Sequence, residues 1–309
     1  MKFFKPKFWD NNKISPFSIL LLPITLLIKL FNFIKRIFIK THHFSKPVIC
    51  VGNIYLGGTG KTPLCIELFS ILKSLNKSPS FIRKKYRSFE DEVILLKQFG
   101  RVYESKKRID AVKNAIQNKS DVLILDDGFQ DFSINKNLSI VCFDEKLWLG
   151  NGLVIPSGPL REELSALKRA ECVIINGQKN TDIENKIFSK NKKIKIFYSK
   201  HKAKNIDEFK NKKVIAFAGI GNPENFFNLL KDNNIEAIEE IKFPDHYNYS
   251  KKEMENLINK TRENNAILLT TEKDYFRISQ NYKKNINYLK IAVDIENQNQ
   301  FIEEIKKII

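Results

Sequence analysis

The run Gly57-Gly58-Thr59-Gly60-Lys61-Thr62 has the residue types and spacing of a phosphate cradle. Glycines let backbone N–H groups close around an anion, Lys61 suits the β- and γ-phosphates of a nucleotide, and the Thr62 hydroxyl suits Mg²⁺. Tyr55 stands where the standard pattern has its first glycine, so the loop is a variant form. Apolar residues 47–51 precede it, and Leu64, Ile66, Leu68, Phe69 and Leu72 follow. That pattern predicts a buried strand, a glycine turn, and a helix whose N-terminal dipole favours the anion.

A second run, Val122-Leu123-Ile124-Leu125-Asp126-Asp127, is an apolar strand ending in two carboxylates. Beside a phosphate loop, Asp126 and Asp127 would hold Mg²⁺ directly or through water. Taken alone, such an ending also suits a cap or a turn. The continuation Gly128-Phe129-Gln130 extends the candidate site. In Gly158-Pro159-Leu160-Arg161-Glu162, Arg161 could stabilise charge on a transferred phosphoryl group and Glu162 could complete a metal shell. The same residues equally suit a helix start, with Glu162 facing the dipole. A carboxylate of Glu90-Asp91-Glu92 could accept the proton of an acceptor hydroxyl, although a triplet of acids also suits a solvated loop. His246, in Phe243-Pro244-Asp245-His246-Tyr247, could tune a carboxylate or be a satisfied structural histidine. Gly219-Ile220-Gly221-Asn222-Pro223 is a weak nucleotide turn, equally explained by Pro223 at a helix start. Thr271-Glu272-Lys273-Asp274 follows a predicted strand and suggests no role.

The elements around these residues follow from composition and pattern. The chain of 309 residues has 42% hydrophobic and 28% charged residues, enough for two ordinary cores. Net charge is +18, and residues 1–46 hold nine Lys or Arg against one acid, so +8 of the excess lies beside an apolar segment. No interleaving of aromatic and basic residues points to nucleic acid. Cys50, Cys65, Cys142 and Cys172 form no C-x-x-C pair and read as core thiols of a reducing compartment, without zinc or disulfides.

Between Lys13 and Lys29 lie 15 uncharged residues. As helix they extend about 22 Å against a hydrocarbon core of roughly 30 Å, so crossing would bury Lys29. Thr25, Lys29, Asn32, Arg36 and Lys40 form one polar stripe amid Leu26, Leu27, Leu30, Phe31, Phe33, Ile34, Ile37 and Phe38. This pattern predicts an amphipathic helix in the headgroup layer with its cations toward anionic lipid. A helix packed on the protein's own core has the same periodicity. A cleaved signal peptide is not expected, because the apolar stretch starts late, continues into Lys35-Arg36 and has no small-residue cleavage site.

From Pro47 onward, strands alternate with helices near 61–75, 106–118 and 161–170. Together they predict an α/β protein with a parallel sheet flanked by helices, of P-loop NTPase type. The predicted divisions are a membrane-interface segment at 1–46, a P-loop domain at 47–176, a polar linker at 177–212, and a smaller α/β lobe at 213–309. In that lobe, residues 289–293 are expected to form one strand.

Together, the glycine loop, the Asp126 to Gln130 run, Gly150-Asn151-Gly152, 156–162, 219–227, 243–246 and 270–274 resemble one family over nearly the whole chain. That family is the tetraacyldisaccharide 4′-kinases, which phosphorylate the lipid A precursor. The resemblance implies ATP as donor, Mg²⁺, and the 4′-hydroxyl of an acylated disaccharide phosphate lipid as acceptor. It places the protein at the cytoplasmic face of a bacterial inner membrane, monotopic or peripheral, with an anionic lipid surface as partner and no nucleic acid. By the same resemblance, Gly57, Gly58, Thr59, Gly60, Lys61, Thr62, Asp127 and Gln130 serve the nucleotide. Thr62, Asp126, Asp127 and Glu162 serve the metal, and Arg161 and Lys61 act on the transferred group. Asp91 is the general base and His246 its partner. Asp131 stands where the family has a histidine, so no role passes to it. The rival reading is a membrane-associated P-loop ATPase switch acting on a protein. Many such switches carry an additional lysine where this chain has Leu56, which favours the kinase.

Overall fold

The computed structural model describes residues 6–10, 13–85, 90–245 and 247–309, with the side chains of Glu90 and Asp91 outside that set. The strands are β1 (Val48–Gly52), β2 (Pro79–Lys84), β3 (Val102–Ser105), β4 (Val122–Asp126), β5 (Leu138–Asp144) and β6 (Cys172–Asn176). They continue with β7 (Lys195–Ala203), β8 (Val214–Ala218), β9 (Ala237–Lys242), β10 (Ile267–Thr271), β11 (Ile286–Leu289) and β12 (Ile291–Ile295). The helices are α1 (Pro16–Leu20), α2 (Leu22–Ile37), α3 (Lys61–Ser74), α4 (Glu90–Lys97) and α5 (Arg108–Gln117). After them come α6 (Thr181–Phe188), α7 (Pro223–Asp232), α8 (Lys251–Glu263), α9 (Glu272–Arg277) and α10 (Gln298–Lys306).

Eight strands form one sheet in the order β12-β7-β6-β5-β1-β4-β2-β3. All its pairings are parallel except that of β12 with β7. Strands β1, β4 and β5 are buried along their whole length, as continuous apolar strands under two helical layers must be. On one face, Ala111, Val112 and Ala115 of α5 pack on Leu123, Leu125 and Phe143. On the other, Leu64, Leu68 and Leu72 of α3 pack beside Phe301 and Ile305 of α10. In the β1–β4 ladder Val51 lies opposite Asp126, which brings the carboxylate end of β4 beside the strand that opens into the glycine loop.

The smaller lobe is an all-parallel sheet in the order β11-β10-β8-β9, with α7 covering one face and α8 the other. Its limits differ from those expected. The expected linker contains α6 and β7, and β7 is an inner strand of the large sheet. The strand expected at 289–293 is two strands in two sheets, because β11 ends at Leu289 while β12 pairs antiparallel with β7. The second lobe is therefore inserted between β7 and β12, and the C-terminal α10 completes the core of the first. The two crossings run side by side, the Lys204 N–H donating to the Lys290 carbonyl at 2.8 Å.

Helix α2 docks the opposite way to the expectation. Its polar stripe faces the protein: Thr25 is buried and shares a 2.8 Å hydrogen bond with Ser157, Lys29 pairs with Glu163, and Arg36 pairs with Glu162. The apolar residues point outward, with Leu27, Phe31 and Phe38 exposed to 67%, 66% and 82%. Glu163 and Glu162 hold Lys29 and Arg36 at short range, which turns these two cations toward the protein. Among the described residues, no helix is long and apolar enough to cross a membrane.

Candidate active site

The glycine loop leaves β1 at Gly52 and enters α3 at Lys61. Gly60, at the N-cap, has φ +81°, a left-handed conformation that a side chain would strain. Buried Asn53 holds the loop from within, donating to Thr59 Oγ1 at 2.9 Å and to the Gly57 carbonyl at 3.3 Å. Gln130 donates to the Asn53 carbonyl at 2.8 Å, so in this structure its amide fastens the strand-to-loop transition. His201 on β7 underlies Gly60, and burial pushes its pKa down, which keeps the ring neutral beneath the anion cradle.

Asp127 follows β4 with φ +54°, a conformation tolerated by Asp and concentrated at functional sites. Its Oδ1 lies 3.8 Å from Lys61 Nζ and 2.7 Å from Arg161 Nη1. Burial raises the Asp127 pKa, but Lys61 and then Arg161 outweigh burial and hold the carboxyl well below the usual range. Arg161 is fixed through its backbone, whose N–H donates to the Ile54 carbonyl at 2.7 Å. That bond and the Tyr55–Leu160 bridge keep the chain extended here, so the helix expected at 161–170 is reduced to a 3₁₀ turn at Leu164–Arg169.

Asp126 is 1% exposed. Its Oδ2 has no hydrogen-bond donor, and Arg83 Nη1 stands 3.5 Å away. Arg108, also buried, donates to the carbonyls of Asp126 at 3.2 Å and Asp127 at 2.6 Å. Asp131 anchors this brace, accepting from Arg108 Nη1 at 3.2 Å.

The Asp126 oxygen without a donor, beside ionised Asp127 and the loop bearing Thr62, fits Mg²⁺, which takes one or two carboxylates and fills its remaining positions with phosphate oxygens and water. No cluster of three His, Cys, Asp or Glu ligands occurs among the described residues. Glu162 does not join this set here. Its carboxylate accepts from Arg36 at 2.6 Å and from Arg169 at 2.9 Å, and Arg169 stacks over Phe129 and Phe132. Two arginines satisfy Glu162, and it ties α2 to the loop that carries Arg161.

The His246 and Asp91 assignments lie outside the described residues. Their neighbours are placed: Glu92 Oε1 and Asp245 Oδ1 lie 3.1 and 3.8 Å from Lys273 Nζ. Sequence reasoning gave no role to Arg83, Arg108 or Lys273, and took Glu92 as one of three acids of which any could accept a proton. The available signal was Arg83 itself, a cation directly after the apolar Phe81-Ile82 pair of β2; it is buried, whereas Lys84, which ends the strand, is exposed.

Comparison with known proteins adds three observations. The family described as Tetraacyldisaccharide-1-P 4'-kinase matches residues 17–309. The chain is 42% identical over 311 residues to a tetraacyldisaccharide 4'-kinase of Pelagibacter ubique, covering 100% of this chain and 99% of that protein. It is 35% identical to the enzyme of that name from Rickettsia canadensis, covering 99% and 98%. Among solved structures, LpxK of Aquifex aeolicus in complex with ATP is similar at 28% identity and a TM-score of 0.73, covering 94% of this chain and 99% of that one.

Proposed function

The chain belongs to the tetraacyldisaccharide-1-P 4'-kinase family, whose activity is ATP-dependent lipid A 4'-kinase, and we propose that it performs the transfer at the head of its large sheet while lying on a membrane surface. The observation that carries this reading is the convergence of Lys61 and Arg161 on one oxygen of Asp127, beside a glycine loop at a helix N-terminus.

In the proposed reaction, the acceptor 4'-hydroxyl oxygen bonds to the γ-phosphorus as the bond to the β,γ-bridging oxygen breaks and ADP leaves. Lys61 and the backbone N–H groups around Gly57 to Thr62 hold the phosphates, and Arg161 balances charge spread over the equatorial oxygens. The Thr62 hydroxyl, Asp126 and Asp127 would hold Mg²⁺, whose positive charge would offset the negative charge of the phosphates. The hydroxyl proton passes to Asp91, with His246 as its partner. Support for that pair comes from the resemblance and from the convergence of the adjacent Glu92 and Asp245 on Lys273.

The membrane reading rests on helix α2. Its outward face carries Leu26, Leu27, Leu30, Phe31, Phe33, Ile34, Ile37 and Phe38, all exposed. Fully burying such a side chain is worth ~1.5–3 kcal/mol, so a few inserted residues suffice to hold the protein in the acyl boundary. The same helix is tied through Glu162 to the residue next to Arg161, so an acceptor whose acyl chains stay in lipid has its sugar near the reacting groups. This geometry favours a lipid acceptor over a switch acting on a protein. It fits a peripheral or monotopic enzyme at the cytoplasmic face of the inner membrane, where ATP is available.

The test is transfer of labelled γ-phosphate from ATP to a monophosphorylated acylated glucosamine disaccharide in mixed micelles. Mg²⁺-dependent product that collapses in Lys61→Ala supports the reading; ATP hydrolysis without lipid product overturns it.

A further inference from the structure

The Thr271-Glu272-Lys273-Asp274 run takes no part in the transfer described above, yet it stands where the two lobes meet. Thr271 caps α9, its Oγ1 accepting from the Asp274 N–H at 3.1 Å. Asp274 is fully buried and accepts from the Gly219 N–H at 2.9 Å and from the Tyr249 hydroxyl at 2.9 Å. The run is thus built rigidly into the small lobe, and Lys273 projects from it toward the large one.

Across the junction the charges alternate. Asp245 and Lys273 belong to the small lobe, and Lys273 Nζ is 3.1 Å from Glu92 Oε1 on α4. The second oxygen of Glu92 accepts from Arg83 Nη2 on β2, and Arg83 Nη1 is 3.5 Å from Asp126 Oδ2 at the end of β4. The series Asp245, Lys273, Glu92, Arg83, Asp126 runs from one lobe to the head of the other. Arg83 and Asp126 side chains are only 5% and 1% exposed, so their interactions are weakly screened. In such surroundings, removing one member leaves its neighbours uncompensated and free to reorient. Arg83 has two acidic neighbours, Glu92 and Asp126, and the position of Glu92 decides how its guanidinium is shared between them.

We propose that Lys273 is a positioning residue that couples docking of the small lobe to the charge at the phosphate site, by holding Glu92 so that Arg83 stands against Asp126. Its effect on turnover rests on the kinase reading; the coupling itself does not.

The experiment has two arms on the full chain. In the first, kcat and KM are measured for Lys273→Met, Glu92→Gln, their combination, and Lys273→Arg. We expect each charge removal to lower kcat about 10- to 100-fold with KM for ATP changed less than about threefold, the combination to be no worse than the poorer single variant, and Lys273→Arg to keep most of the activity. Losses that multiply in the combination, or an Arg variant as poor as Met, would overturn the proposal. In the second, spin labels at Lys113→Cys on α5 and Asn256→Cys on α8 report the distance between lobes with a non-hydrolysable ATP analogue and Mg²⁺, without lipid. A distribution broadened by Lys273→Met supports the coupling even if the acceptor assignment fails, whereas an unchanged distribution overturns it.

Discussion

Arg161 Nη1 lies 2.7 Å from Asp127 Oδ1 across 34 residues of chain, and the loop that brings Arg161 there is the one on which the exposed N-terminal helix docks. Asp127 is thereby held ionised between two cations, Lys61 from the glycine loop and Arg161 from the docking loop. The site therefore has two supports of different origin, one from the glycine loop at the head of the sheet and one from the loop that receives helix α2.

Arg161→Ala removes the second support. On the role proposed for Arg161 at the transferred group, we expect kcat to fall on the order of 10²-fold or more, as when a charge-stabilising donor is lost. Arg161→Lys should recover only part of it, since an ammonium cannot reproduce the planar fork. Steady-state kinetics at saturating ATP checks this; a variant with kcat within about twofold of the parent would contradict the role given to Arg161.

Leu27→Asp and Phe31→Asp act on the outward face of α2, where the parent side chains are 67% and 66% exposed. The folded protein loses no packing there, so the thermal midpoint should stay close to that of the parent. Partition onto anionic vesicles should fall by about tenfold or more for the pair. Co-sedimentation with vesicles measures this, and unchanged partition would show that the lipid contact lies elsewhere.

How much of this was legible in the sequence follows from how local each feature is. The β1, glycine loop and α3 sequence is contiguous, and β4 declares itself by an apolar run ending in Asp126 and Asp127, so periodicity and turn chemistry suffice. The direction in which α2 faces was not legible. A stripe holding Thr25, Lys29 and Arg36 reads equally as facing headgroups or facing protein, and the decision lies with Ser157, Glu162 and Glu163, more than a hundred residues away. The split at Lys290 was hidden for the same reason, because residues 289–293 read as one apolar run and only the edge offered by β7 diverts its second half. Glu162 looked available to a metal because Arg36, one of its two arginine partners, lies 126 residues away in sequence.

Glu92 contributes to the acid response. Burial pushes its pKa up, but Lys273 and then Arg83 bring the carboxyl down from 4.5 to about 2. A carboxylate depressed on folding contributes stability that is fully present above its unfolded value and is lost as pH falls through the folded one. The contribution therefore disappears between the two values just given. We expect Glu92→Gln to lower the thermal midpoint near neutral pH and to flatten its decline across that acid window. Thermal unfolding as a function of pH decides it, and a slope equal to the parent's would remove Glu92 as the source.

Gly221 meets Gly58 backbone to backbone where the small lobe touches the glycine loop, and a Cβ on Gly221 would lie 2.9 Å from the Gly58 nitrogen. No flexible side chain can yield there, so Gly221→Ala must move either the loop or the lobe. The lobe is the softer choice, since its covalent links to the large sheet are the two adjacent crossings at Lys204 and Lys290, whereas Asn53 pins the loop from inside. Each lobe keeps its own core, so the thermal midpoint should shift little while kcat falls by about tenfold or more, as expected for displaced reacting groups. Enlarging the same position to Val should deepen the loss in kcat. If both variants instead lowered the midpoint steeply and left turnover per folded molecule intact, the contact would serve stability alone.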